Sequence, residues 1–331
     1  MTGKIVVTGA GSIGCFVGGL LALGGAEVVL LARPRIAAKI GTHGLYLTSF
    51  EGWEERLAPG LLAVATDPAF ALRDAALILV TVKSGDTAAM AATVAAHAPA
   101  GTEIVSLQNG LGNADLLRAA LPGRKVHAGM VSFNVLQQDG GRFHRGTSGP
   151  LVIDAAAPLL VAPHLDIVAH NDMRAVLAGK LVYNLNNALN ALSGLTLREQ
   201  LADRRWRLLL AAAQEEALAV FRAEGIPPWS LGKVPVTRFP FVLRLPDFLF
   251  RLVSRGGVAI DASARSSMWE DLERRRPTEI GELQGAVITR AAALGIPAPV
   301  NRRIADAVRA AEAAAAGSPR LDPGLLLTRR H

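Results

Sequence analysis

The sequence has little cysteine, few aromatic residues and no long apolar run, and each shortage excludes a class of protein. Its 331 residues include a single cysteine, Cys15. We therefore expect neither a disulfide framework nor a clustered-cysteine zinc site, and we predict no metal. Aromatic residues make up 5% of the chain while half of all residues are apolar, which predicts an aliphatic core and excludes a disordered chain. The length suits two domains of roughly 150 residues each.

Signals for membranes and secretion are also missing. Charged residues, polar residues or glycines interrupt the apolar runs within about ten residues, well short of the roughly twenty that a transmembrane helix needs. Residues 4–26 are apolar enough to mimic a signal peptide, but five of the residues at positions 9–19 are glycines and residues 27–32 continue as a strand-like run. We therefore expect a mature cytoplasmic protein that does not bind membranes.

The net charge of +7 comes mainly from arginines scattered through the second half. There is no lysine-rich tail and no interleaving of basic with aromatic residues, so we expect no nucleic-acid partner. The simplest interpretation is a solvated arginine surface. A positive field of this kind also favours an anionic cofactor and a small anionic substrate.

Short aliphatic runs alternate with helical patterns in the first half of the chain. This alternation predicts a parallel, doubly wound α/β sheet. The predicted strands cover residues 4–8, 27–31, 77–82, 103–107 and 126–130, and the predicted helices residues 13–24, 86–98 and 113–121. Residues 140–149 and 151–153 are interpreted as a hairpin-like excursion at the far edge of the sheet.

Long helical patterns with Gly-Pro breaks dominate the second half and predict an all-α domain. The predicted helices cover residues 173–192, 197–224, 266–294 and 301–315. We assign residues 1–170 to a dinucleotide-binding domain and residues 171–331 to a helical substrate domain. The segment 240–253 is a candidate homodimer contact, with a lid or ordinary packing as alternatives.

A glycine fingerprint follows the first predicted strand and opens the first predicted helix. In the motif GxGxxG, the first glycine permits a tight turn, the second lets the backbone approach a pyrophosphate, and the third lets the helix pack on the strand. The pyrophosphate then lies at the helix N-terminus. The residues predicted to bind the cofactor here are Gly9, Ala10, Gly11, Ser12, Ile13 and Gly14.

The end of the second strand bears on the choice of cofactor. An NAD enzyme carries Asp or Glu about twenty residues after the glycines, whereas this chain has Arg33 and no acid there. Because arginine can hold a 2′-phosphate, we predict NADP(H) as the cofactor. The alternative is that Arg33 is only a solvent-facing loop residue. Lys83 and Asn109 follow later strands and are further candidates, although each could belong to an ordinary turn.

Polar residues on the first helix of the second half could carry the chemistry of carbonyl reduction. Lys180 and Asn184 are four residues apart and share a helix face, and Asn187 follows three residues later. Such residues on an otherwise apolar helix are costly to bury without a purpose. The alternative is an interdomain hydrogen-bond network.

The chain resembles the ketopantoate (2-dehydropantoate) 2-reductase family along nearly its whole length. The residues that carry the resemblance are the glycine fingerprint, Thr81-Val82-Lys83, Gln108-Asn109-Gly110, Lys180-Leu181 with Asn184, Ser266-Ser267-Met268 with Asp271-Leu272, Thr278-Glu279-Ile280, and residues 295–301. The resemblance implies a Rossmann domain followed by a helical domain like that of 6-phosphogluconate dehydrogenase, with the active site in the cleft.

The resemblance also implies roles for individual residues. Lys180 would be the general acid, donating its proton as NADPH delivers hydride to a 2-oxo acid, by default 2-dehydropantoate, to give (R)-pantoate. Asn184 and Ser267 would bind substrate. Asn109 would contact both cofactor and substrate, and Glu279 would lie beside the cofactor ribose and the lysine. Arg33 and Lys83 would contact NADPH.

Several residues depart from the family pattern and leave the substrate open. Ala188 stands where the family often has an asparagine, and Asn187 either replaces that residue or points elsewhere. The other departures are Arg198, Gly281, Gln284 and extra residues around 229–260. The alternatives are another 2-oxo acid, carbonyl or imine, the reverse oxidation of a hydroxy acid, or an NADPH sensor without turnover, which the acid and substrate residues argue against.

Overall fold

The computed structural model describes residues 3–232, 234–254 and 264–327. Its contacts divide the chain into two compact units, Met1–Met173 and Arg174–His331, here called the first and the second unit. Strands occur in the first unit, and in the described residues of the second unit the regular structure is helical. No helix in the described ranges is both long and apolar enough to cross a bilayer. The α/β class predicted for the first half and the helical class predicted for the second are confirmed.

The first unit contains twelve strands among its described residues: β1 (Lys4–Thr8), β2 (Val28–Leu31), β3 (Leu45–Ser49), β4 (Glu54–Leu57), β5 (Ala63–Ala65), β6 (Ala75–Val80), β7 (Glu103–Ser106), β8 (Val126–Val131), β9 (Val135–Gln137), β10 (Arg142–Arg145), β11 (Leu151–Asp154) and β12 (Ile167–His170). Its helices are α1 (Ser12–Leu23), α2 (Pro34–His43), α3 (Pro68–Leu72), α4 (Thr87–His97) and α5 (Asn113–Ala120).

Eight strands form the main sheet in the order β12-β11-β8-β7-β6-β1-β2-β5. All neighbours are parallel except β8 and β11. Every residue of β1 is buried, as its unbroken apolar run predicts for a strand covered on both faces. Strand β1 has β2 on one side and β6 on the other, so the strand order reverses direction at β1. Open α/β sheets bind ligands at such a switch point. All five predicted strands lie in this sheet.

The predicted excursion at residues 140–149 and 151–153 is wrong in its placement. Strand β10 belongs to a second sheet of order β4-β3-β10-β9, where it pairs parallel with β3 and antiparallel with β9. Strand β11 instead joins the main sheet beside β8. One of the two partners of β10, strand β3, is about a hundred residues away in sequence, so no local pattern revealed that pairing.

Helix α1 lies between the two sheets. A Cβ atom on Gly18 would come within 2.7 Å of Leu30 in the main sheet, and one on Gly19 within 2.9 Å of Leu47 in the second sheet. Phe16 packs against Phe133 with ring centroids 5.8 Å apart. The helix is therefore buried on all sides, which explains why its sequence is apolar all round.

The second unit contains nine helices in its described residues: α6 (Met173–Asn184, which begins at the boundary), α7 (Asn186–Ser193), α8 (Leu197–Ala202), α9 (Arg204–Ala223), α10 (Phe239–Arg244), α11 (Asp247–Ser254), α12 (Ser267–Glu273), α13 (Ala286–Ala293) and α14 (Pro299–Ala314). A turn of π-helix, Gly281–Gly285, precedes α13.

Three of the four predicted long helices are interrupted. The first divides at Leu185, and the second divides at Asp203, whose side chain accepts a hydrogen bond from the Arg205 amide and caps α9. The third contains a loop between α12 and the π turn, where Arg275 has a φ of +51° and Pro277 follows. Proline cannot continue a helix and lacks the amide donor.

Arg207 fastens the segment that carries α10 and α11 to the rest of the second unit. Its guanidinium is fully buried and lies 4.3 Å from the centre of the Phe250 ring. Its five N–H donors match five acceptors at 2.6–3.2 Å, namely Leu201 O, Ala202 O, Leu243 O, Leu245 O and Asp247 Oδ1. The outer face of the segment remains apolar and exposed, with Phe241, Phe248 and Leu252 each more than 60% accessible. Part of the extra stretch at 229–260 lies outside the described residues.

We expect Arg207→Met to lower the free energy of unfolding by about 3 kcal/mol, because it leaves buried acceptors without their donor. Chemical denaturation followed by circular dichroism measures the change. Arg204→Met is the matched control, since this exposed neighbour donates a single hydrogen bond to Arg244 O, and its effect should stay within about 0.5 kcal/mol. Equal losses in the two variants would contradict the anchoring role of Arg207.

Candidate functional site

The glycine fingerprint forms the turn between β1 and α1. Gly9 has a φ of +103°, and a Cβ atom on it would lie 2.7 Å from the amide nitrogen of Val82. A Cβ on Gly14 would lie 2.1 Å from Gly9 O and 2.6 Å from Thr81 Oγ1. Thr81 Oγ1 donates to Gly9 O at 2.7 Å and so ties the turn to the end of β6. Both glycines are required by the fold of the turn itself.

Gly11 is different, because a Cβ atom there would meet no protein atom within 4 Å. It is the N-cap residue of α1, and no side chain caps the helix. Ala10 is buried, and Ser12 and Ile13 are half-buried in the first turn. Open space beside an uncapped helix N-terminus is what a pyrophosphate requires, so the residues present fit a dinucleotide.

Arg33 and Lys83 occupy exposed loops after β2 and β6, the two strands that flank β1. The Arg33 side chain is 85% exposed, and its Nη2 atom lies 3.2 Å from Asp86 Oδ2. Asp86 ends the 3-10 turn Ser84–Asp86 that follows Lys83. The structure thus brings an acid beside Arg33, although none follows β2 in the sequence. Analysis of the sequence missed Asp86 because 53 positions separate the two residues.

A buried hydrogen-bond network holds the loop that carries Asn109. Gln108 Nε2 donates to Thr87 Oγ1 at 2.7 Å. Asn113 Oδ1 accepts from Thr87 Oγ1 at 2.8 Å, and its Nδ2 donates to Ser84 Oγ at 2.9 Å and also to Asn109 O. Thr87, Gln108 and Asn113 are each at most 6% exposed. These side chains therefore fix the positions of the loops after β6 and β7, a role that the sequence did not reveal for Ser84, Thr87 and Asn113.

Lys180 and Asn184 lie on α6, one helical turn apart. Burial lowers the pKa of the Lys180 ammonium from its ordinary 10.5 to about 8, and no carboxylate within the described chain offsets that effect. Asn184 is 9% exposed, and its amide makes no hydrogen bond to another described residue. Gly179 precedes the lysine because the backbone of Trp229 crosses α6 there, 1.9 Å from where a Cβ would lie. Lys180 is therefore an unusually acidic ammonium, one turn from a buried amide.

The junction between α6 and α7 is held by two buried amide side chains. Gln284 Nε2 donates to Leu185 O at 2.9 Å, and Gln214 Nε2 donates to Val182 O at 3.1 Å. The Oε1 atoms of both glutamines are buried without a partner in the described structure. Leu185 keeps helical dihedral angles, so the junction changes the hydrogen bonding of the helix more than its direction. Gln284, one of the departures from the family pattern, thus supports the helix that carries Lys180.

Asn187 and Ser267 are brought close to each other through Ser266. Ser266 Oγ donates to Asn187 O at 2.9 Å, and Ser266 N donates to Asn190 Oδ1 at 2.8 Å. Asn190 is fully buried, and Ser267 is the exposed first residue of α12. Helix α12 therefore begins beside α7. Ala188, which stands where the family often has an asparagine, is fully buried and offers no polar group.

Glu279 is partly exposed and lies just before the π turn Gly281–Gly285, whose Gln284 reaches the α6–α7 junction. Its carbonyl accepts a hydrogen bond from the Glu282 amide at 3.0 Å. Burial and the nearby charge of Glu279 raise the pKa of the Glu282 carboxyl. Hydrogen bonds of Gln214, Gln284 and Ser266 thus connect α9, the π turn and α12 to α6, α7 and the junction between them. No metal-binding cluster of His, Cys, Asp or Glu occurs in the described residues.

Comparison with known proteins identifies the family. The model for ketopantoate reductase PanE/ApbA matches residues 5–158, and the model for the C-terminal part of the same family matches residues 172–312. The chain belongs to the ketopantoate reductase family. It is an oxidoreductase, and the resemblance recognised in the sequence is confirmed. A 2-dehydropantoate 2-reductase of Halobacterium salinarum is 31% identical over 322 residues, which cover 93% of this chain and 99% of the relative.

Solved structures share the fold over almost the whole chain. A PanE/ApbA family ketopantoate reductase from Ralstonia eutropha superposes with a TM-score of 0.77 at 28% identity, covering 94% of this chain and 99% of its own. A D-mandelate dehydrogenase in complex with NADH and anilino(oxo)acetate gives a TM-score of 0.76 at 19% identity, with the same coverage. At that identity the second likeness shows the fold alone.

The contrast between Gly11 and Gly14 yields a matched pair of variants. Gly14→Ala should lower the free energy of unfolding by about 2 kcal/mol or more, because its Cβ overlaps the turn. Gly11→Ala should keep the wild-type melting temperature but weaken NADP⁺ binding by about tenfold or more, since its methyl group fills the space for the pyrophosphate. Thermal unfolding and isothermal titration calorimetry measure the two effects. Unchanged NADP⁺ binding by Gly11→Ala would contradict this placement of the cofactor.

Proposed function

We propose that the chain is an NADPH-dependent reductase that converts 2-dehydropantoate to (R)-pantoate. In this proposal residues 1–170 bind NADP(H) and residues 171–331 carry the substrate chemistry. Relatives named 2-dehydropantoate 2-reductase over nearly the full length support the reaction. The observation that carries the proposal is Lys180, whose pKa is lowered to about 8. An ordinary surface lysine is too weak an acid for efficient proton transfer near neutral pH.

In the proposed reaction the bound nicotinamide supplies a hydride to the keto carbon of the substrate. Lys180 Nζ donates a proton to the keto oxygen as negative charge develops there. Asn184 donates an amide hydrogen bond to the substrate, and Asn187 and Ser267 hold its remaining polar groups. The side chains of Lys180 and Asn184 make no hydrogen bond to another described residue, which favours this role over a purely structural network. Glu279 would contact the cofactor ribose and orient the lysine.

The departures around the substrate residues favour testing more than one 2-oxo acid. Ala188 is buried and apolar, and Arg198 is exposed on α8. Another 2-oxo acid is therefore the second candidate substrate. A panel of 2-oxo acids offered with NADPH, read as loss of absorbance at 340 nm, ranks 2-dehydropantoate against the others by kcat/KM.

Lys180→Ala is the test of the proposed acid. We expect kcat for the preferred 2-oxo acid to fall by about 10²–10⁴-fold, the usual contribution of a general acid, while NADP⁺ binding and the melting temperature stay near wild type. Lys39→Ala is the control, since this lysine is partly exposed and bonded only to Gln138 O at 3.3 Å. Full turnover by Lys180→Ala would refute the mechanism, and the absence of turnover in wild type with the whole panel would refute the reaction.

The lowered pKa of Lys180 predicts a pH profile. The ammonium form donates the proton, and kcat/KM reports the pKa of the free enzyme, so kcat/KM for reduction should be constant below pH 7 and fall as pH rises through about 8. Oxidation of the hydroxy acid needs the neutral amine and should rise over the same interval. Lys180→Arg does not titrate in this range and should lose the step at pH 8. A reduction rate that stays constant to pH 10 would contradict the assignment.

A further inference from the structure

The ion pair between Arg33 and Asp86 bears on the choice between the two nicotinamide cofactors. The two side chains meet through one contact of 3.2 Å and are 85% and 54% exposed. Arg33 precedes α2, and Asp86 comes from the loop after β6. An acid therefore lies beside Arg33, as it does in NAD enzymes at the end of the second strand, but here it comes from the loop after β6.

The loop that carries Asp86 is better anchored than Arg33. Thr87, the next residue, is fully buried and bonded to Ser84 O and Asn113 Oδ1 at 2.8 Å. The carboxylate of Asp86 is therefore held near the C-terminal end of β6. Arg33 has a long, exposed side chain and can exchange partners when a ligand arrives.

We propose that Asp86 sets the balance between NADPH and NADH, and this inference rests on the proposed function together with the sequence-based prediction that Arg33 holds the 2′-phosphate of NADPH. A 2′-phosphate must take Arg33 away from Asp86 and then lie beside that carboxylate, so its binding is weakened by competition and by like-charge repulsion. A 2′-hydroxyl is a hydrogen-bond donor that the Asp86 carboxylate accepts. Asp86 therefore moderates the preference for NADPH that Arg33 creates, and the protein binds both cofactors.

Asp86→Asn tests this inference through binding, without reference to turnover. The substitution keeps the shape of the side chain and removes its charge. We expect the Kd for NADP⁺ to fall about fivefold and the Kd for NAD⁺ to rise about twofold, a shift in selectivity of about tenfold, as the loss of one partly screened charge contact predicts. Isothermal titration calorimetry with each dinucleotide provides the four constants.

Asp115→Asn is the matched control. Asp115 forms an exposed ion pair with Arg118 on α5, with Arg118 Nη1 2.6 Å from Asp115 Oδ1, and its loss changes the net charge of the first unit by the same amount. We expect its ratio of the two dissociation constants to equal that of wild type. If the ratio of the two dissociation constants shifted equally in both variants, net charge alone would explain the effect and the role of Asp86 would be overturned.

The outcomes also separate this inference from the proposed function. If wild type binds NADP⁺ or NAD⁺ and Asp86→Asn leaves their ratio unchanged, the role of Asp86 is overturned while the cofactor site stands. If wild type binds neither dinucleotide, the cofactor assignment and the role of Asp86 both fail. If the ratio shifts as expected but no 2-oxo acid is reduced, the inference about Asp86 holds and only the reaction fails.

Discussion

The first unit depends on how closely α1 approaches the end of β1. Gly14 lies against Gly9 O and Thr81 Oγ1 with no room for a Cβ atom, and Thr81 bonds the same carbonyl from the neighbouring strand. This contact fixes the start of the helix relative to the sheet. The uncapped amides of the first turn therefore point into a space that is set before any ligand arrives, and such preorganisation reduces the free-energy cost of binding an anion.

The second unit differs in that it keeps polar side chains among otherwise apolar helices. No carboxylate of the described residues neutralises Lys180, and desolvation makes its ammonium more acidic. Gln214 and Gln284 each leave one buried oxygen without a donor in the described structure, a cost that well-packed proteins rarely accept. Both glutamines donate to carbonyls of the helix that bears Lys180 or of its junction. These unpaired oxygens therefore lower stability at α6 and its junction with α7, where the proposed chemistry depends on Lys180.

Local patterns were enough to predict the parts of the fold that local forces determine. Strand β1 and the glycine turn follow from a continuous apolar run and from spacing, and α1 follows from its apolar composition. The second sheet was not predictable in this way, because β10 pairs with β3 across about a hundred residues. The junction at Leu185 was missed for a similar reason, since its cause is Gln284, 99 residues further along the chain. Among the site residues, Asp86 was missed because an ion pair between two loops produces no periodic pattern in the sequence.

The placement of α1 between two sheets has a consequence for synthesis of the protein. Strand β1 and α1 leave the ribosome before β10, an inner strand of the second sheet, which ends at Arg145, more than a hundred residues later. At translation rates of roughly 5–20 residues per second, the face of α1 that carries Phe16 is without β10 for on the order of 5–25 s. Until then α1 lacks part of the cover that buries Phe16 completely in the folded protein.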